Sequence, residues 1–453
     1  MNKNIFRAYD IRGNSKTDLD QTTITKIGYV LGERIKKNDH DSVYVGHDSR
    51  LSAQEIQNAL VAGFNAADIK VFLLGMVPTP MVYFATKTGV TPNGVMITGS
   101  HNPKDDNGLK IVINDDAISG LELLSEVEKQ ADVLHVETNC EKVNLFPQYQ
   151  KEINQKFRLN KKIKVVLDAG NGAAGEVADS IFKSQGFETI SINKNPDGNF
   201  PNHHPDPGKE KNLVDLINKV KEVSADVGVA FDGDGDRLGA VTSSGRLIYP
   251  DQMMMLFSKK ILSDEGGKTI IFDVKCSDFL PQIIKDNGGI PFMSPTGHFH
   301  IKNNIKKYNA VLGGEMSGHI FFNDIWHGFD DGHYSAIRLL DIMNETGLSL
   351  DDLLDSLPVS YSTPELNIDV PEERKFKIIE DFIENASIDG EKNFTDGLRA
   401  SFENGWALLR ASNTTPKLVL RFEANSQESL EKIQKNFLEE LKKFLPNQDI
   451  NLE

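Results

Sequence analysis

The sequence predicts an α/β protein of several domains with mixed, mainly parallel sheets, closed by a smaller α+β domain at the C-terminus. Three observations carry that expectation. Short apolar, β-branched runs recur along most of the chain, and each stops abruptly at a Gly/Asp/Ser cluster. Helical periods lie between those runs. Beyond a Pro-punctuated stretch the pattern changes to paired strands and one amphipathic helix.

The strand ends come in order along the chain. Val43-Tyr44-Val45 runs into Gly46-His47-Asp48, and Gly94-Val95-Met96-Ile97 into Thr98-Gly99-Ser100-His101. Val165-Val166-Leu167 runs into Asp168, Val227 to Phe231 into Asp232, Ile270-Ile271-Phe272 into Asp273, and Ala310-Val311-Leu312 into Gly313-Gly314-Glu315. Short apolar runs bounded by turn residues read as buried strands. Ser52 and Glu55 form a capping-box pattern, with Ile56, Ala59, Leu60, Gly63 and Phe64 on one face behind them. A second helix is expected over Ala173–Gln185, closed by Gly186. Strand–helix alternation gives βαβ units, whose ligands collect beyond the carboxyl ends of the strands. Domain boundaries are expected within Pro147–Lys162 and near Pro250. After Leu357–Pro364 and Pro371, the runs Trp406–Arg410 and Leu418–Phe422 read as a strand pair. Ser426–Leu445 reads as a helix burying Leu430, Ile433, Phe437, Leu441 and Leu445, with Pro446 beyond it.

Composition excludes several classes. At about 150 residues per domain, the 453 residues give roughly three domains, and two to four fit. With 39% hydrophobic and 26% charged residues, the chain is neither disordered nor fibrous. Cys140 and Cys276 are the only cysteines and lie far apart, which excludes a disulfide scaffold and a cysteine zinc site and fits the cytoplasm. Neither a secretory h-region nor an apolar run long enough to span a membrane is present. A formal net charge of -16 repels nucleic acid and anionic membrane, so neither is expected as a partner. Anions would need local Arg, Lys and backbone N–H groups.

Asp232-Gly233-Asp234-Gly235-Asp236-Arg237 is the most informative cluster. Three carboxylates at alternate positions, separated by Gly, let one tight loop aim all three at a point, and such hard oxygen ligands suit Mg²⁺ or Ca²⁺. An EF-hand is rejected, because Arg237 stands at the turn glycine and Ser243 at the twelfth-position Glu. The plain alternative is a solvated acidic turn, but three unpaired carboxylates this close repel one another. Mg²⁺ held by three carboxylates has room for a phosphate oxygen.

The remaining clusters are less specific. Thr98-Gly99-Ser100-His101-Asn102-Pro103 presents a hydroxyl after a strand, which needs a base, a metal or an attached phosphate to react. An ordinary Gly-Ser turn explains the segment equally well. Lys110 follows closely and brings a cation. Glu315, Ser317 and His319 offer a carboxylate, a hydroxyl and an imidazole suited to sugar hydroxyls, or else a simple strand-to-turn connection. Arg410 with Ser412, Asn413 and Thr414 suits an anion nest, or a hairpin turn. Phe6–Gly13 is dense in polar groups, among them Tyr9 and Arg12, and Arg7 is expected to pair with Asp10. Lys275 and Thr296-Gly297-His298 are weaker signals. Gly170-Asn171-Gly172-Ala173-Ala174-Gly175 matches the dinucleotide fingerprint, but the next strand ends in Asn193-Lys194 instead of an acid, so a tight helix–strand turn is preferred.

Together these segments resemble the α-D-phosphohexomutase superfamily, on the side of the bacterial phosphomannomutase/phosphoglucomutases. The similarity also takes in Asn202-His203-His204-Pro205-Asp206-Pro207, Asp273-Val274-Lys275-Cys276 and Gly328-Phe329-Asp330-Asp331-Gly332, and covers nearly the whole chain. The resemblance implies three related α/β domains and a C-terminal domain of another fold around a central active-site cleft. Their expected extents are 1–148, 149–250, 251–362 and 363–453. It implies a phosphohexomutase working through phosphorylated Ser100, with catalytic residues Ser100, His101, Lys110, Arg12 and Arg237. Mg²⁺ would be held by Asp232, Asp234, Asp236 and an oxygen on Ser100. Substrate would be bound by Tyr9, Lys275, His298, Glu315, Ser317, His319, Arg410, Ser412, Asn413 and Thr414. A hexose phosphate is the implied partner, glucose 1,6-bisphosphate the activator, and a monomer or weak homodimer the assembly. Phosphoglucosamine mutase and a non-catalytic sugar-phosphate-binding protein are the rival readings; Met316 in the sugar loop favours the mannose/glucose class by resemblance. Pro295 stands where the nearest relatives often carry a base, leaving one cation fewer near the cleft.

Overall fold

The computed structural model describes all residues except 134–138, 158, 160, 161, 265, 414 and 446–453. The first unit contains β1 (Ile11–Asn14), α1 (Gln21–Lys37), β2 (Ser42–His47), α2 (Ala53–Ala66), β3 (Lys70–Met76), α3 (Thr79–Thr88), β4 (Gly94–Ile97), β5 (Asp106–Ile113), β6 (Asp116–Ile118), α4 (Gly120–Lys129) and β7 (Cys140–Lys142). The second contains α5 (Phe146–Lys156), β8 (Lys164–Asp168), α6 (Gly175–Ser184), β9 (Glu188–Ile192), α7 (Val214–Val223), β10 (Val227–Phe231), β11 (Leu238–Thr242) and β12 (Leu247–Ile248). The third contains α8 (Pro250–Asp264), β13 (Thr269–Asp273), α9 (Phe279–Asp286), β14 (Ile290–Ser294), α10 (His298–Tyr308), β15 (Leu312–Gly314), β16 (Ile320–Phe322), α11 (Gly332–Thr346) and α12 (Leu350–Asp355). The last contains β17 (Tyr361–Ser362), β18 (Leu366–Asp369), α13 (Lys375–Asn385), β19 (Glu391–Asn393), β20 (Leu398–Phe402), β21 (Gly405–Ala411), β22 (Lys417–Ala424) and α14 (Gln427–Leu441).

One four-strand arrangement recurs in the first three sheets. The orders β3-β2-β4-β5, β9-β8-β10-β11 and β14-β13-β15-β16 are superimposable in kind. In each, the first strand in sequence pairs in parallel with its two neighbours, and the fourth returns antiparallel to the third. The return loops are 98–105, 232–237 and 315–319. The three clusters singled out above are thus the same hairpin loop in three related domains, a repeat the sequence does not display. The fourth sheet is antiparallel, with β21 and β22 paired along seven residues from Gly405↔Ala424 to Ala411↔Leu418.

Two local expectations need correction, the Ser52 cap and the Arg7–Asp10 pair. Ser52 precedes α2 without capping it: its hydroxyl accepts from Asn107 Nδ2 at 2.9 Å instead. Capping boxes form at Ser119/Glu122 and Ser349/Asp352. Pro147 opens a helix, since α5 runs through most of the expected linker, and Pro250 opens α8. Asp10 pairs with Arg12 at 2.6 Å, leaving Arg7 without that partner. The glycines of the 170–175 segment serve close packing, because a Cβ at Gly172 would lie 2.6 Å from the Gly233 carbonyl oxygen. The C-terminal helix buries Leu430, Phe437, Leu441 and Leu445, with Ile433 packed beside them; Pro446 lies outside the described residues.

The core is divided unevenly. One cluster runs from Met81 and Phe84 of α3 through Tyr149, Leu167 and Phe231 to Phe272, Phe322 and Tyr334, joining the first three domains. The last domain has its own core, including Ile378, Phe382, Leu409, Phe422 and Phe437. It meets the third domain through Trp406 and through arginines: Arg399 donates to the Val274 and Cys276 carbonyls, and Arg421 to that of Lys275. No helix among the described residues is long and apolar enough to cross a membrane.

Candidate active site

Ser100 heads the loop after β4. Its φ of +50° is left-handed, a conformation L side chains seldom hold without support. That support is a buried guanidinium. Arg50 donates to the carbonyls of Ser100 (2.9 Å), Asn102 (2.7 Å), Pro103 (2.5 Å) and Asp106 (2.8 Å), and pairs with Asp48 at 3.2 Å. Asp48 in turn accepts from the Thr98 hydroxyl at 2.8 Å and the Gly99 amide at 3.2 Å. Gly99 must be glycine, since a Cβ there would fall 2.4 Å from the Arg50 guanidinium. Arg12 adds donors to Gly99 O and Asn102 Oδ1.

The loop after β10 closes on this one from the second domain. A Cβ at Gly233 would lie 2.5 Å from the Ser100 carbonyl oxygen, so the two backbones touch. Ser100 Oγ donates to Asp232 Oδ2 at 2.9 Å and has His101 Nδ1 at 3.1 Å. Asp232, Asp234 and Asp236 are fully buried, with ligand oxygens within 4.8 Å of one another. Asp234 Oδ1 and Asp236 Oδ1 are buried without a hydrogen-bond donor. Orphaned, converging carboxylate oxygens of this kind fit a divalent cation. Lys110 on β5 donates to both Asp234 Oδ2, at 2.7 Å, and Asp236 Oδ2. The N-terminus of α3 also reaches the trio, as Thr79 donates its hydroxyl to Asp234 Oδ2 at 2.6 Å.

Electrostatics follow from this packing. Burial, reinforced by Asp234 and Asp236, pushes the Asp232 carboxyl well above its usual range. Burial opposes the charge of Asp234 too, but Lys110 and Thr79 outweigh it and hold that carboxyl low. Lys110 is correspondingly held well above the ordinary lysine value, despite desolvation. Burial, with Arg237 and Arg12 nearby, pushes the His101 imidazole well below its usual range, so it is neutral.

The third hairpin loop supplies Glu315, Ser317 and His319. Glu315 Oε1 accepts from the Gly297 amide at 2.6 Å, and burial raises its carboxyl. Ser317 sits half-buried at the turn. His319 Nε2 faces Arg237 Nε at 3.1 Å, and His298 lies beside it with ring centroids 5.7 Å apart. Lys275 pairs with Glu365 at 2.9 Å. In the last domain Arg410 Nε donates to Asp396 Oδ2 at 2.8 Å, and the Ser412 hydroxyl accepts from the Thr415 amide at 3.1 Å. Asn413 Nδ2 donates to Tyr9 Oη, joining the last domain to the first, while Tyr9 donates to Thr296 O at 2.9 Å. Burial raises the Tyr9 phenol to about 12. Thr414 lies outside the described residues.

Contacts thus run from Ser100 to Asp232, from Arg237 to His319, from Glu315 to Gly297 and from Tyr9 to Thr296 and Asn413, bringing residues of all four domains together. Sequence reasoning missed Arg50, Thr79, Asp396 and Asp330. Asp48 stood in a flagged strand-end cluster and Asp330 within a quoted segment, but neither had an assigned role. Arg50 had only Asp48 beside it as a local partner, since the carbonyls it holds lie about 50 residues away, and Thr79 had none, its partner lying 155 residues away.

The comparisons agree with this geometry. Four family models match in order, those of the phosphoglucomutase/phosphomannomutase alpha/beta/alpha domains I (residues 3–134), II (147–245) and III (249–361) and the C-terminal domain (365–440). The chain is 47% identical over 449 residues to a phosphomannomutase/phosphoglucomutase of Pseudomonas syringae pv. tomato, covering 98% of this chain and 97% of that one. It is 43% identical to a phosphoglucomutase of Neisseria meningitidis serogroup A, with 96% of each covered. A crystal structure of a phosphoglucomutase/phosphomannomutase family protein from Burkholderia thailandensis superimposes with a TM-score of 0.91 at 41% identity, covering 100% of this chain and 99% of that one. With every domain matched in sequence order and the cleft assembled from all of them, the chain belongs to the phosphoglucomutase/phosphomannomutase family of phosphohexomutases.

Proposed function

We propose that this enzyme interconverts the 1-phosphate and 6-phosphate of mannose and/or glucose, with Ser100 as the phosphoryl carrier and a hexose 1,6-bisphosphate as the intermediate. The observation that carries this reading is the 2.9 Å contact of Ser100 Oγ with Asp232, inside a buried trio of carboxylates. Asp232, Asp234, Asp236 and an oxygen of phosphorylated Ser100 would hold Mg²⁺, whose charge then neutralises the phosphoryl group.

Phosphoryl transfer asks chiefly for positioning and charge neutralisation. Arg50, Asp48 and Arg12 hold the Ser100 loop in its strained turn. His101, neutral, directs Nδ1 at Ser100 Oγ from 3.1 Å. Glu315 and Ser317 suit two neighbouring sugar hydroxyls, and Arg237 with His319 faces the reacting oxygen. Tyr9, Lys275, Arg410, Ser412 and Asn413 form the distal cradle for the non-reacting phosphate, with Thr414 expected to join them. After the first transfer the bisphosphorylated sugar turns over and presents its other phosphate to Ser100. The cradle must therefore accept either end of the sugar. The closed Tyr9–Asn413 contact supports exclusion of water, which protects the phosphoserine from hydrolysis. Glucose 1,6-bisphosphate serves as activator, the cytoplasm as compartment, and the enzyme works as a monomer or weak homodimer.

Ser100→Ala should keep the fold and lose both covalent phosphate and turnover. Intact mass and assay of mannose and glucose 1-phosphates with Mg²⁺ and glucose 1,6-bisphosphate check this; full turnover by the variant would end the phosphoserine assignment.

A further inference from the structure

The first domain carries a crevice that phosphoryl transfer does not use. It measures about 330 Å³ and lies at the carboxyl ends of the parallel strands β2, β3 and β7, beside the first turn of α2. Topology puts it there. The chain leaves β2 for α2, which packs with Val43 and Val45 on one face of the sheet. It leaves β3 for α3, whose Val82 packs against Gly46 on the other face. Neighbouring parallel strands whose connections part in this way leave a crevice between them, where α/β sheets bind their ligands. The volume matches the lower end of small-molecule pockets, about 300–1,000 Å³.

The lining selects a chemistry. Leu73 and Leu74 supply apolar surface, and Gln57 of α2 borders the crevice with them. Gln57 is 6% exposed, yet its Oε1 has no hydrogen-bond donor among the described residues. Buried amides are rarely left unmatched, so this one calls for a partner that enters the crevice. Lys142 stands at the rim, and no carboxylate borders the crevice, although the chain carries a net charge of -16. The 14-residue helix α2 also begins here, and its first turn has no side-chain cap. A lysine and an uncapped helix start favour negative charge. The matching ligand has one anionic head, a short carbon stem and a hydroxyl that donates to Gln57.

The same wall continues into the support of the Ser100 loop. His47 borders the crevice, and its Nδ1 donates to the Asp48 carbonyl at 2.8 Å. Asp48 holds Arg50, Thr98 and Gly99 with its carboxylate. Ser52, just before α2, accepts from Asn107 Nδ2 at 2.9 Å on the far side of that loop. We infer that the crevice is a second, non-catalytic site that binds a small hydroxylated organic anion, and that its occupancy steadies the Ser100 loop through the 47–52 segment. Gln57 receives the hydroxyl, while Lys142 and the start of α2 balance the charge. The site is distinct from the cleft and goes beyond the mutase cycle.

The test uses the full chain with ¹³C-methyl-labelled leucine in Mg²⁺, with Leu73 and Leu74 assigned from Leu73→Met and Leu74→Met. Glycerol 3-phosphate and D-glycerate present the shared chemistry from its two sources, a phosphorylated polyol and a hydroxy acid. At least one of them should shift the Leu73 and Leu74 methyls saturably, and the one that binds more tightly names the source. Inorganic phosphate, a head without a carbon-borne hydroxyl, should bind about tenfold more weakly or not at all. Arg410→Ala should leave the shift in place, which separates this site from the distal cradle. Gln57→Leu and Lys142→Met should each weaken binding about tenfold or more while leaving basal turnover unchanged. Lys142 is exposed, so that variant keeps the test open if Gln57→Leu folds poorly. At saturation, amide exchange at Asn102 and Asp106 should slow about fivefold or more. The proposal is overturned by the lack of a saturable shift with either anion, by its loss in Arg410→Ala, or by affinity that Lys142→Met leaves unchanged. Equal binding of inorganic phosphate, or exchange that saturation does not alter, overturns it as well.

Discussion

Replacing Arg50 by methionine should loosen the Ser100 loop without touching substrate. The side chain is fully buried and satisfies Asp48 together with the carbonyls of Ser100, Asn102, Pro103 and Asp106. Of these losses, the stranded carboxylate is the largest. Breaking a buried ion pair from one side costs about 3–5 kcal/mol, whereas the carbonyls near half-exposed Asn102 and exposed Pro103 can turn to water. Asp48→Asn/Arg50→Met removes the charge problem and should recover most of that energy, leaving a residue of about 1–2 kcal/mol from unmade hydrogen bonds. Amide hydrogen exchange at Asn102 and Asp106, whose N–H groups bond to Gly99 O and Pro103 O, reads the loop directly. At 1.36 kcal/mol per decade, the single variant should exchange about 10²- to 10⁴-fold faster. Phosphoserine content and kcat should fall in both variants, since both lose the fork that holds the carbonyls. Equal exchange in the single and double variants, or less than a tenfold change in the single one, would refute the claim that Asp48–Arg50 holds the loop.

Asp234→Asn removes one ligand of the buried trio and should weaken Mg²⁺ activation on the order of 10- to 100-fold, read by Mg²⁺ titration of turnover. Arg410→Ala takes a charge-assisted contact from the distal cradle, and KM should rise about 10- to 100-fold with kcat nearly unchanged, read from steady-state kinetics on hexose 1-phosphates. Asp179 is held at about 2: burial opposes its ionisation, but hydrogen bonds from Lys183, Lys194, Ser191 and Thr189 prevail. A depressed folded value contributes stability that is full above the unfolded pKa of 3.8 and disappears as pH falls through about 2. Asp179→Asn should therefore melt earlier than wild type near neutral pH, and the gap in Tm should close by pH 2.

How much of this was visible beforehand depended on sequence distance. Strand ends and the alternating aspartates were legible because hydrophobic runs, turn residues and period-two spacing are local. Ser52–Glu55 satisfied the same kind of local rule and failed, since a competing partner, Asn107, came from another strand. The threefold hairpin repeat was hidden because topology constrains burial and turns but tolerates different side chains in each loop. Arg50, Thr79 and Asp330 were silent for a related reason. Apart from Asp48, two residues before Arg50, the groups they meet lie 50, 155 and 11 residues away, and even the shortest of these three separations crosses a strand and a turn.

The division of the core bears on how one site handles both ends of a sugar. In the proposed cycle every phosphoryl transfer takes place beside Ser100, so the loops carrying Ser100, the aspartates and the sugar contacts must keep a fixed relation; they belong to domains joined by one apolar cluster. The proposed distal cradle has the opposite task. It must release a phosphate, let the bisphosphate turn, and close again on the other end. Its Arg410, Ser412 and Asn413 belong to the domain that contributes none of its described residues to that cluster, joined to the third largely through Trp406 and through arginine contacts to the turn that carries Lys275. An interface of limited area held by a few such contacts parts more readily than an interdigitated core. Lys275 stays with the third domain, beside Cys276 of the shared cluster, so opening of the last domain would part Arg410 from Lys275 and open the proposed cradle between them.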